Sequence, residues 1–138
     1  MPLSRSMRTV NIAASALHYR HHICQRHNHN WSSKYDPLQL KYRCHKGTSP
    51  RPPLVFLHGM LGSGQNWTTM AKIIHRKTDR TVYLPDLRNH GSSPWSNSMS
   101  YYDMASDISN FIKENNLGNV DLIGKDDFEN WQNPANGL

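Results

Sequence analysis

Residues 52–67, Pro-Pro-Leu-Val-Phe-Leu-His-Gly-Met-Leu-Gly-Ser-Gly-Gln-Asn-Trp, restrict the possible folds of this chain more than any other stretch. The run Leu54, Val55, Phe56, Leu57 has the uniform apolar character of a strand buried on both faces. It breaks at His58-Gly59, and Gly59, Gly62 and Gly64 then let the backbone turn tightly before a helix begins. A strand, a glycine turn and a helix in that order place any chemistry at the carboxyl end of a strand in an open parallel sheet.

Three kinds of site fit such a turn. A phosphate loop has the right glycine spacing at Gly59 and Gly64, but Gln65 and Asn66 stand where Lys and Ser or Thr are needed. Neither a charge for the β/γ-phosphates nor a hydroxyl for magnesium is then supplied. Residues 82–86, Val-Tyr-Leu-Pro-Asp, mimic the accompanying acidic strand only faintly, because the proline weakens it. A dinucleotide fingerprint needs G-x-G-x-x-G, whereas the order here is G-x-x-G-x-G. An oxyanion hole, in which a backbone N–H after the strand stabilises charge developing during acyl transfer, suits His58-Gly59. A tight connection with no chemistry fits the loop alone equally well.

The formal charge of +6 over 138 residues belongs to the N-terminal segment. Residues 1–35 hold Arg5, Arg8, Arg20, Arg26 and Lys34 and no acid, leaving 11 of the 16 Lys and Arg to face all 10 acids. The remainder has no basic face for nucleic acid. Cys24 and Cys44 form neither a disulfide framework nor a zinc pattern. No apolar run approaches the roughly 18 residues of a membrane span, so no transmembrane segment is expected. Nothing in the sequence calls for a cofactor.

Placed on a helix, Leu3, Met7, Val10, Ala14 and Leu17 share one side and Arg5, Arg8, Asn11 and Ser15 the other. An acid-free amphipathic start containing Arg and Ser is the composition of an organelle transit peptide, with the mitochondrial matrix as destination. Secretion is the alternative, since Ala14-Ser15-Ala16 resembles a cleavage site, although Asn11 and Ser15 interrupt its apolar region. Residues 1–35 are thus expected to be a disordered leader. Its histidines, His18, His21, His22, His27 and His29, surround Cys24 without a fixed ligand geometry, so no metal site is assigned.

From residue 36 the pattern becomes globular. Leu38, Leu40, Tyr42 and Cys44 alternate with polar residues, as in a half-buried edge strand. Trp67, Met70, Ala71 and Ile74 mark one face of a helix, and Arg76 and Lys77 suit its C-terminal end. Residues 81–84 form the next strand and lead into the loop Asp86-Leu-Arg-Asn-His-Gly-Ser-Ser-Pro94. There Asp86 and Arg88 can pair to brace the turn, and Gly91 permits the reversal. Asp86 and His90 also suggest an acid–base pair, but the sequence sets no nucleophile against them. Ser100 and Asp103 make an acidic capping box for a helix whose buried face is Met104, Ile108, Phe111 and Ile112. The helix ends at Asn115, Asn116, Leu117 and Gly118, and residues 120–124 form a third strand. This alternation predicts an α/β fold with parallel strands and right-handed crossovers.

Three stretches in this order, Leu-His-Gly-Met-Leu-Gly, Asp-Leu-Arg-Asn-His-Gly-Ser-Ser and Val-Asp-Leu-Ile-Gly, resemble the N-terminal part of an α/β-hydrolase, its mitochondrial members above all. The resemblance covers about residues 38–124 and implies a partial α/β-hydrolase fold with an incomplete sheet. It assigns the oxyanion loop to His58, Gly59, Met60, Leu61 and Gly62, with Met60 donating the N–H. It assigns a structural loop to Asp86, Arg88, Gly91 and Ser93. The family pattern continues into a nucleophile elbow, G-x-S-x-G, but here Gly124 is followed by Lys-Asp-Asp-Phe, and the last serine is Ser109. No catalytic residue is therefore assigned. Residues 125–138 lack apolar periodicity and are expected to be a disordered tail unlike the family. The resemblance implies a truncated serine hydrolase whose complete form acts on acyl-ester, lipid-like or thioester substrates. The alternative is a non-catalytic fragment that pairs with itself or a full-length partner through its incomplete sheet. In the family the strand at 120–124 is central, so its outer edge is expected to be unpaired here.

Overall fold

The computed structural model describes residues 36–124 and the backbone of residues 8–11. Five strands form one mixed sheet: β1 (Arg8–Asn11), β2 (Tyr42–His45), β3 (Leu54–Leu57), β4 (Val82–Pro85) and β5 (Asp121–Gly124), in the spatial order β1-β5-β3-β4-β2. The three central strands are parallel, with β3 between β4 and β5. Both outer strands run antiparallel to their neighbours. Helix α1 (Thr68–Thr78) connects β3 to β4, and α2 (Tyr101–Glu114) connects β4 to β5. The predicted α/β architecture with a parallel core is present.

β3 explains the layering. Its four residues are all buried, and they alternate between two cores. Leu54 and Phe56 join Ala71, Val82, Leu84 and Ile123, with Trp67 and Ile74 packed against them. Val55 and Leu57 join Met104, Ile108, Phe111, Val120 and Leu122 on the other face. Burying each large aliphatic or aromatic side chain stabilises by roughly 1.5–3 kcal/mol, so a continuous apolar strand is what a sheet covered on both sides selects.

Several expected boundaries move, each for a local reason. The edge strand begins at Tyr42, not Leu38, because earlier amides are bonded to side chains: Leu38 N–H donates to Asp107 Oδ1 at 2.6 Å and Lys41 N–H to Ser93 Oγ at 2.9 Å. Leu40 is nevertheless buried. Met70, expected on the inner face of α1, is exposed, while Ala71 is fully buried. A single turn of 3₁₀-helix (Gly64–Trp67) precedes α1 and is capped by Ser63, whose side chain accepts the Gln65 N–H. The capping box of Ser100 and Asp103 is formed at α2 as its spacing predicts.

At the other edge the sequence expectation is corrected. Arg8–Asn11, placed by apolar spacing on the leader helix, is a strand that pairs antiparallel with β5, Arg8 opposite Gly124 and Asn11 opposite Asp121. The outer edge of β5 is therefore covered, because a strand with open N–H and C=O groups gains more from a ladder partner than an isolated short helix gains by forming. The remaining leader features, including the histidine cluster around Cys24 and the cleavage-like Ala14-Ser15-Ala16, lie outside the described residues, as do residues 125–138.

Candidate functional site

The carboxyl ends of β3 and β4 bring together the two loops singled out by the sequence. After Leu57 the chain turns at 59–62, where the Gly62 N–H donates to Gly59 O at 2.9 Å. His58, only 5 % exposed, points inward. Its Nδ1 donates to Gly59 O at 2.9 Å and its Nε2 accepts the Leu87 N–H at 2.9 Å. One donor and one acceptor suit the neutral ring. Burial pushes the His58 pKa below the ordinary histidine value; its bond to Gly59 opposes this, and the neighbouring His90 reinforces it. Met60 and Leu61 stand exposed at the tip of the turn.

Asp86 is the residue that joins the loops. Its Oδ1 accepts the Gly64 N–H at 2.7 Å and its Oδ2 accepts the Ser92 N–H at 2.9 Å. One buried carboxylate thus ties the start of the 3₁₀ turn to the second loop. Two glycines are required around it. A Cβ on Gly64 would lie 2.5 Å from Leu84 O, and one on Gly91, whose φ is +51°, would lie 2.3 Å from Asp86 Oδ2. Ser93 Oγ donates to Asp86 O while accepting the Lys41 N–H, so its hydroxyl is used on both sides.

The expected pairing of Asp86 with Arg88 is not what forms. Arg88 turns away and binds Asp107 on α2, with Nε 2.6 Å from Oδ2 and the Nη2 nitrogen 2.8 Å from Oδ1. Asp103 lies 3.5 Å from its other terminal nitrogen, which donates to Ser98 O at 3.0 Å. Asp86 is already occupied by two amides, and two buried acids on α2 demand a cation more strongly. The Asp103 carboxyl is held below the usual range: burial raises it, but hydrogen bonds from Ser98 and Ser100 and the Arg88 charge outweigh that. Neither Asp103 nor Asp107 was singled out for this role from sequence. The available signal was two acids, i and i+4, beside the apolar residues Met104, Ile108 and Phe111 of the same helix.

Asp86 and His90 form no acid–base pair either. His90 has its Nδ1 2.8 Å from Arg88 O and its Nε2 2.7 Å from Met60 O, and its ring centroid lies 5.1 Å from that of His58. Ser63 is engaged as the helix cap. Gly64, Gly62 and Asn66 donate their N–H groups to Asp86, Gly59 O and Ser63 O, which leaves a phosphate cradle without these donors. Among the described residues no group of three or more His, Cys, Asp or Glu is placed to hold a metal ion, and no helix is long and apolar enough to cross a membrane. What the arrangement offers is an exposed backbone turn after β3, braced from beneath by buried histidine and carboxylate contacts.

Residues 52–126 match the family model for the alpha/beta hydrolase fold. The chain is 39 % identical over 87 residues to the sn-1-specific diacylglycerol lipase ABHD11 of Xenopus tropicalis, covering 63 % of this chain and 27 % of that protein. Among solved structures, a marine microorganism esterase is 48 % identical with a TM-score of 0.51, over 58 % of this chain and 29 % of its own. An alpha/beta hydrolase from Novosphingobium aromaticivorans shares the fold at 23 % identity and a TM-score of 0.52, over 58 % of this chain and 28 % of its own. The chain thus spans less than a third of the length of each of these relatives.

Proposed function

Because this chain belongs to the α/β-hydrolase fold family, we propose that it carries the oxyanion side of an acyl-hydrolase site without the nucleophile that completes it. Met60 is the N–H donor in this reading, and the loop containing Asp86, Arg88, Gly91 and Ser93 is its structural support. The observation that carries the proposal is the sequence after β5. In the elbow pattern G-x-S-x-G, Gly124 is followed by Lys125 and then Asp126 where serine would stand, and residues 125–138 contain no Ser, Thr or Cys. The second oxyanion donor, which normally follows the nucleophile, has no elbow to hold it. The lipase and esterase relatives support a lipid-like acyl ester as the substrate class of a complete site. The acid-free N-terminal composition supports a mitochondrial destination.

The chain should be silent toward acyl esters. A serine-directed phosphonate probe and a short-chain nitrophenyl ester test this on the full chain, with Ser63→Ala as control. No labelling and no turnover above buffer is expected. Stoichiometric labelling, or turnover abolished by Ser63→Ala, would overturn the reading and make Ser63 a nucleophile.

A further inference from the structure

Residues 37–78 contain seven Lys and Arg and no Asp or Glu, and all 10 acids of the chain lie outside them. Totals along the chain predict no basic face, but folding separates the charges and makes one. The acid-free stretch supplies β2, the loop after it and α1. β2 and α1 meet where the His45 and His75 rings face each other, their centroids 5.9 Å apart. Tyr42 packs on Tyr83 and on Phe111 of α2, so strand alternation turns Arg43, like His45, toward the α1 side.

The outer side of α1 continues that face. Lys72, Arg76 and Lys77 are exposed on it. So are two apolar residues, Met70 at 37 % and Ile73 at 43 %, while Ala71 and Ile74 supply the inner side of the helix to the core. Met70, Ile73 and Lys77 follow one another at i, i+3 and i+7, and Lys72 and Arg76 run beside them at i and i+4. They form two stripes along a helix about 16 Å long. Among the described residues the ion pairs are made by Arg80 and Arg88, so the α1 cations are left facing solvent. Asp79, the acid nearest to them in sequence, accepts the Thr48 hydroxyl.

We propose that the outer face of α1, extended by Arg43 on β2, docks on an anionic lipid bilayer, with Met70 and Ile73 entering the interface and Lys72, Arg76 and Lys77 on the headgroup phosphates. The helix lies in the plane of the surface, since its 11 residues are far fewer than the roughly 20 that a crossing requires. Its chemistry favours lipid over other anions. The stems of Lys and Arg lie along apolar neighbours while their charged ends reach outward, which suits a boundary between acyl chains and phosphates. A nucleic-acid backbone is held by cations and hydrogen-bond donors, and exposed Met and Ile side chains add nothing to that. An acidic protein read through charge alone leaves the same two residues without a purpose.

Co-sedimentation of the full chain with vesicles tests the docking face. One set is phosphatidylcholine alone; the other has phosphatidylglycerol as roughly a third of its lipid. The wild-type chain should bind the anionic vesicles and not the neutral ones. Lys72→Gln/Arg76→Gln should bind about 25-fold more weakly, about fivefold for each cation, which is what about 1 kcal/mol per Lys or Arg at an anionic surface amounts to. Met70→Ser/Ile73→Ser keeps every charge and should still lose about fivefold. Lys113→Gln removes a cation from α2 on the other face of the sheet and should bind as wild type does.

The basic segment 1–35 is the same in all these chains, so differences among them report on the folded part. No binding to anionic vesicles overturns the proposal. Equal binding by wild type and Lys72→Gln/Arg76→Gln does so too, and assigns attachment to residues 1–35. A loss in Lys113→Gln as large as that in Lys72→Gln/Arg76→Gln would reduce the effect to net charge and remove the face. Met70→Ser/Ile73→Ser binding as tightly as wild type would replace the bilayer with a partner read through charge alone, such as an acidic protein. No arm depends on ester turnover, so the docking face is judged separately from the hydrolase reading.

Discussion

Arg88 has 2 % of its side chain exposed and Asp107 1 %, so the pair is closed off from water. Removing one member of a buried pair leaves the other charge uncompensated, which costs about 3–5 kcal/mol. Asp107→Asn keeps the shape and an acceptor for the Leu38 N–H but removes the charge. It should lower stability by roughly 3 kcal/mol in urea unfolding without changing the m-value. A loss below about 0.5 kcal/mol, the range of surface substitutions, would mean that Asp103 alone neutralises Arg88. The sequence points to Arg88 as structural but to Asp86 as its partner, because two residues on one short turn are the nearest pair that can be named without a fold. Which acid wins depends on where α2 crosses the loop, and that is a tertiary fact. The histidines show the same division: His58-Gly59 is legible as a strand-end signal, whereas the His58–His90 pairing needs two loops brought together by parallel strands.

At the scale of the element, order and type are legible between residues 36 and 124 while boundaries are not, and Arg8–Asn11, placed on a helix by its spacing, is a strand. β3 is legible because four apolar residues in a row leave no alternative face. α2 is legible because its cap and its apolar spacing agree. β2 is misjudged by four residues, since alternation continues through Leu38 and Leu40 while their neighbouring amides are taken by Asp107 and Ser93. Two glycines with positive φ, Gly91 in the loop after β4 and Gly118 between α2 and β5, separate backbone strain from side-chain collision. Gly118, at φ +62°, has nothing within 4 Å of an added Cβ, so Gly118→Ala should cost only the left-handed strain, about 1 kcal/mol. Gly91 has similar backbone strain, but its added Cβ would also strike the Asp86 carboxylate. Gly91→Ala should therefore cost more, roughly 2–4 kcal/mol, with loss of the bond that ties Gly64 to Asp86. Thermal unfolding of the two variants side by side checks the ranking. Equal losses would show that the Asp86 side chain moves away at little expense.

For the whole molecule the critical feature is the outer edge of β5. The parallel core β5-β3-β4 is covered on one face by α1 and on the other by α2, but helices do not satisfy a strand edge. On the β4 side β2 does so; on the β5 side the cover is β1, four residues from the segment whose composition suggests an import signal. These two uses of one segment conflict. If the leader directs import and is then removed, β1 leaves with it and β5 presents unpaired N–H and C=O groups beside the buried Leu122. Two preparations separate the cases: the full chain, and residues 36–138 alone. The full chain should protect the β5 amides from exchange, whereas 36–138 should exchange them faster and self-associate in sedimentation as its concentration rises. Adding a peptide with the sequence of residues 6–13 should reverse both effects, because the antiparallel register of Arg8 on Gly124 needs only backbone pairing. If 36–138 sediments as a monomer with β5 as protected as in the full chain, β1 is not what closes the sheet. In that outcome cleavage of the leader would leave the fold unchanged, and association through this edge would lose its physical basis.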